Sequence, residues 1–70
     1  MKKVVELPTN RELYFDVTTS YQAMDKLIDY LAITSKKHSS QDIKLSRNGN
    51  LLYLLHIDFK GNELIYYIEV

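Results

Sequence analysis

His56 and Asp58 stand two residues apart in the run Leu51-Leu52-Tyr53-Leu54-Leu55-His56-Ile57-Asp58-Phe59, so on an extended strand both side chains point to one side. An imidazole beside a carboxylate is a pairing suited to general acid–base work, and Tyr67, expected opposite or diagonal to them, would add a phenol. Such chemistry needs a pocket, and a catalytic metal normally takes three protein ligands. A flat sheet supplies neither, so the expectation is a chain without catalytic residues, metal or cofactor. His38 sits in a lysine-flanked stretch with no third ligand type beside it. Gly49 and Gly61, the only glycines, both punctuate alternating runs, which excludes a phosphate-cradling loop.

The second chemistry within reach is anion binding. Between residues 36 and 50, Lys36, Lys37, Lys44 and Arg47 face Asp42 alone. With Tyr53 and Tyr67 on neighbouring strands they would suit single-stranded nucleic acid, where bases stack on rings and phosphates meet lysines. Against this, nine Lys and Arg balance nine Asp and Glu over the 70 residues, whereas phosphate binders are usually clearly basic. Lys36, Lys37 and His38 also follow a helix, where positive charge complements the negative end of the dipole. Nucleic acid is therefore the second reading of this sequence.

The elements that must position these groups belong to one domain, with 46% apolar and 26% charged residues and no cysteine to staple it. Arg11 to Val17 alternate strictly, placing Leu13, Phe15 and Val17 on one side of a strand. Lys3 to Leu7 forms a weaker strand that pairs back across Pro8-Thr9-Asn10. Thr19-Ser20-Tyr21-Gln22 is a capping box, so a helix begins near Ser20, and Tyr21, Met24, Leu27, Ile28 and Leu31 make its apolar stripe. Residues 34–42 hold no Ile, Leu, Val or aromatic side chain and read as a loop. Period-two patterning then runs through Ile43–Ser46, Leu51–Phe59 and Leu64–Val70. The fold class expected is α+β in the order ββαβββ, one amphipathic helix on an antiparallel sheet that includes a C-terminal three-stranded meander.

Turn type decides which side chains meet the helix, because a one-residue slip sends a whole strand to the other face. A two-residue turn at Asn48-Gly49 would set Leu45 opposite Leu52; a three-residue turn with Gly49 as a left-handed bulge sets Leu45 opposite Leu51 and unites the apolar faces. We take the bulge here, and a two-residue turn at Gly61-Asn62. Tyr53, Leu55, Ile57 and Phe59 would then join Leu64, Tyr66 and Ile68 under the helix. That leaves Leu52, Leu54, His56, Ile65 and Tyr67 on the second face.

An apolar patch of that kind, rimmed by charge, has the composition of a protein-binding or self-association surface. On this reading Leu54→Asp or Tyr67→Asp abolishes association and leaves the fold standing. Leu64–Val70 carries no gatekeeping proline or lysine, so as an edge strand it would invite a second copy or a partner strand. Cover of the face by the first strand or a terminal segment, residues 2–7, would remove the case for the patch, and pairing of the last strand with the N-terminal strand would satisfy its edge.

No apolar stretch approaches the ~20 residues of a membrane helix, and Glu6 and Pro8 interrupt the charged start Met1-Lys2-Lys3 before a signal-type core forms, so a cytoplasmic setting is expected. The composition, short and rich in Lys, Ile, Asn and Tyr, resembles that of small orphan proteins of AT-rich bacteria and their phages. That resemblance implies a modulator of a host protein. The function expected is thus a non-enzymatic interaction module, bound to a protein partner or to itself as a homodimer.

Overall fold

The structure is a computed structural model, and residues 1–34, 43–58 and 60–70 are described. Strands β1 (Lys2–Leu7) and β2 (Arg11–Phe15) form a hairpin, helix α1 (Ser20–Thr34) follows, and β3 (Ile43–Asn48), β4 (Leu51–Ile57) and β5 (Glu63–Glu69) make the meander. All pair antiparallel in one five-stranded sheet of order β2-β1-β5-β4-β3. The α+β class and the element order are those the patterning dictates.

The capping box starts the helix. The Gln22 amide donates to Thr19 Oγ1 at 3.1 Å, and Gln22 Oε1 accepts from the Thr19 amide at 3.1 Å and the Thr18 amide at 3.0 Å. Ser20 adds a tertiary tie, its Oγ donating to the Glu69 carbonyl at 2.7 Å and pinning the helix start to the end of β5. Along α1, Ala23, Met24, Leu27 and Leu31 are buried and Ile28 packs beside them. Tyr21 was expected on this stripe but is 45% exposed. It lies at the flank, where its hydroxyl accepts from Arg47 at 2.9 Å, and the small Ala23 lets the helix approach the sheet in its place.

The helix meets Val4 of β1, Leu52 and Leu54 of β4, and Tyr66 and Ile68 of β5, with Leu13, Phe15, Ile43 and Leu64 packed around them. The face of β4 turned to the helix is therefore the even-numbered one, which corrects the expected core set of Tyr53, Leu55 and Ile57. Phe59 and residues 35–42 lie outside the described residues.

Both turns differ from expectation, and together they account for the reversal. In the first hairpin Asn48 pairs with Leu51, so the two-residue turn is Gly49-Asn50. Gly49 takes φ 61° at the first central position, the pattern of a type II′ turn. Leu45 then opposes Leu54, and Ile43 opposes His56. In the second hairpin the Gly61 amide donates to the Asp58 carbonyl and the Asp58 amide to the Asn62 carbonyl, each at 3.0 Å, with Gly61 at φ 84°. This is the left-handed glycine bulge, at Gly61 rather than at Gly49. Leu52, Leu54 and His56 consequently oppose Ile68, Tyr66 and Leu64.

Candidate interaction face

The pairings place four rows of side chains on the side of the sheet away from α1. Glu12, Val5, Tyr67, Tyr53 and Ser46 form one row across the five strands, and Leu7, Ile65, Leu55 and Lys44 form the next. Leu51 and Ile57 continue the apolar surface toward the two ends of β4, with Ile57 opposite Glu63. Tyr14, opposite Lys3, extends it along β2. Ile65 is 40% exposed, and Leu51, Ile57 and Tyr14 are also exposed. Val5, Leu7, Tyr53, Leu55 and Tyr67 are half-buried by their neighbours in the sheet. No other described element lies over this face. An antiparallel sheet that met only water here would alternate in polar residues, and this one does not.

Charge is confined to the margins. Lys3 Nζ and Glu12 Oε2 pair at 3.1 Å, and the Tyr14 hydroxyl donates to Glu12 Oε1 at 2.9 Å. The hydrogen bond from Lys3 holds the Glu12 carboxyl below its ordinary value, while the same bond raises Lys3; the bond to Glu12 raises Tyr14. An open depression of ≈ 450 Å³ runs between the start of β1 and the end of β5, lined by Lys3, Val5, Tyr67 and Glu69 among others. Lys44 stands at the opposite edge.

Of the residues expected on this face, Ile65 and Tyr67 are there. Leu52, Leu54 and His56 are not: they are 1%, 0% and 2% exposed under the helix. Val5, Leu7, Tyr53 and Leu55 take their place. Tyr53 and Leu55 lie on β4, which is apolar on both sides, so alternation alone could not choose between its faces; Val5 and Leu7 join the face through the pairing of β1 with β5.

Of the two placements open to the last strand, an edge or pairing with the N-terminal strand, the structure has the second. β5 is the central strand, with β1 on one side and β4 on the other, and β2 and β3 form the edges. Residues 2–7 lie beside β5 in the plane of the sheet, so they widen the open face with Val5 and Leu7 instead of covering it.

The acid–base grouping disperses. His56 is enclosed opposite Leu64, whereas Tyr67 opposes Tyr53 on the other side of the sheet. Asp58 Oδ1 accepts from the Asn62 and Lys60 amides at 2.9 Å each, and these bonds hold its carboxyl below its ordinary value. Its role is to close the turn. Among the described residues, no group of three His, Cys, Asp or Glu could hold a metal ion.

The basic cluster divides as well. Lys36 and Lys37 lie outside the described residues. Lys44 and Arg47 project from opposite faces of β3, and Arg47 is engaged on the helix side by Tyr21 and by the Gly49 carbonyl, both at 2.9 Å. No described helix is long and apolar enough to cross a membrane. No family model, curated protein or solved structure matches this chain.

Proposed function

We propose that this protein is a non-enzymatic interaction module that holds another polypeptide against the sheet face opposite its helix. The observation that carries this reading is the continuity of Val5, Leu7, Tyr53, Leu55, Ile65 and Tyr67 across three adjacent strands, with charged residues only at the margin. Aromatic and branched side chains standing on a rigid sheet give large contact area at little entropic cost, and tyrosines are enriched among the residues that dominate binding energy. The compositional resemblance to small modulatory proteins also favours action on another protein over action on a substrate.

The test is photo-cross-linking in the cell that naturally makes the protein, with the photoreactive residue at position 65 on the open face or at position 26 on the solvent side of the helix. Adducts to a polypeptide from position 65 and not from position 26 are the expected result. Equal labelling from both positions, or none from position 65, removes the reading.

A further inference from the structure

We infer that the polypeptide held by this face is a second copy of the same chain, related by a twofold axis running along β5; this rests on the interaction reading above. The strand order decides the axis. β5 has two strands on either side, β1 and β2 on one and β4 and β3 on the other. A twofold along β5 lays β1 of one copy over β4 of the other, and β2 over β3, so all ten strands find a counterpart in a two-layer sandwich. Rows are preserved by this rotation. Val5 of one copy meets Tyr53 of the other, Leu7 meets Leu55, and Ile65 and Tyr67 lie close to their own equivalents at the axis. Val5 thus stands against the larger Tyr53 on both halves and Leu7 against a leucine, a set of apolar side chains suited to facing sheets at ~10 Å separation.

Charge and area agree with a self-complementary contact. The face carries both signs at its margin, with Lys3 and Lys44 against Glu12, Glu63 and Glu69, and the whole chain has zero formal charge. A face built for a strongly charged partner would be polarised, and this one is not. The rotation also brings Glu12 on the β2 side over Ser46 of the other copy, one pleat from its Lys44. Five strands ~4.8 Å apart and about five residues long present about 400 Å² in projection. Accessible area exceeds projected area because the side chains stand off the plane, so two copies remove on the order of 1,000 Å² from water, near the threshold for a specific dimer.

The experiment uses sedimentation velocity on the full chain across a wide concentration range, with circular dichroism as a control for folding. The unmodified protein should sediment as a dimer that dissociates on dilution. A residue at the twofold meets itself, so Ile65→Asp and Ile65→Lys should each be folded and monomeric, and an equimolar mixture of the two should form a heterodimer. The Leu45→Asp protein, changed at a 41% exposed residue outside the proposed contact, should remain dimeric. A monomer at all concentrations overturns the inference; if position 65 still cross-links in cells to a different protein, the interaction reading stands without it. A dimer that both Ile65 variants leave intact, or one that the Asp and Lys mixture fails to restore, equally overturns the proposed axis. Should either Ile65 variant fail to fold, Tyr53→Glu replaces it, with a folded monomer expected and a folded dimer counting against the contact.

Discussion

The Tyr66 hydroxyl donates to Glu6 Oε2 at 2.7 Å, a contact between buried residues 60 positions apart that fastens β5 to the N-terminal hairpin. The same carboxylate accepts from Thr9 Oγ1 at 2.6 Å and from Arg11 at 3.0 Å, so a carboxylate only 5% exposed is fully engaged. A buried charge is tolerable only with such partners. Here the partners come from the turn and strand that follow β1, and from the strand that β1 must find. Burial and the bond to Glu6 raise the Tyr66 phenol well above its ordinary value, which favours the protonated form that donates to Glu6.

Tyr66→Phe removes one charge-assisted hydrogen bond without opening a large cavity, and should cost about 1.5–3 kcal/mol. Urea denaturation should show a lower midpoint with an unchanged slope. A midpoint equal to that of the unmodified protein would mean the bond contributes nothing to stability.

Stability should fall in acid because of Glu6. Burial pushes its carboxyl up, but the hydrogen bonds from Thr9 and Tyr66 and the charge of Arg11 outweigh burial and leave it below the ordinary 4.5. A group lowered in the folded state stabilises fully above its unfolded value, and that contribution is lost as pH falls through the folded value. Urea midpoints measured from pH 7 downward should therefore hold steady until pH approaches about 4.5 and then decline. Glu6→Gln should lower the plateau and flatten the decline; an equally steep acid loss in that variant would assign it to other groups.

The two sides of β4 and β5 should respond oppositely to charge. Leu54 is fully buried, so Leu54→Asp places an unpaired carboxylate in the core and should abolish folding, seen as loss of the circular dichroism signal. Ile65→Asp, on the open face, should keep the native spectrum. A folded Leu54→Asp protein would mean that the helix does not cover that side.

Gly61 should be the more informative of the turn glycines. Its φ of 84° disfavours any side chain although no atom would contact an added Cβ, so Gly61→Ala should cost about 1–2 kcal/mol through backbone strain alone. Gly61→Asn should cost less, since asparagine tolerates the left-handed region. Thermal denaturation of the pair reads the difference, and equal losses would point to a cause other than backbone conformation.

By itself the sequence determined what local chemistry can determine. Thr19 and Gln22 set the helix start, alternation set the strands, and Pro8-Thr9-Asn10, Gly49 and Gly61 set where the chain reverses. These signals act over a few residues, through caps, pleats and φ preferences. The placement of Ile65 and Tyr67 away from the helix was legible in the same way, because β5 alternates with a clear amphipathic sense once Tyr66 and Ile68 are taken as core.

Tertiary structure decided the rest. β4 is apolar at nearly every position, so its own pattern is satisfied with either side inward; the register fixed by the Asp58 turn, the partner strands and the helix together selected Leu52, Leu54 and His56 for the core. Equally non-local is the position of β5 at the centre of the sheet, since it depends on β1 arriving from the far end of the chain and on Tyr66 meeting Glu6. A pairing that spans most of the chain has no counterpart in any local pattern, and it is this pairing that places β5 in the middle of a broad apolar face.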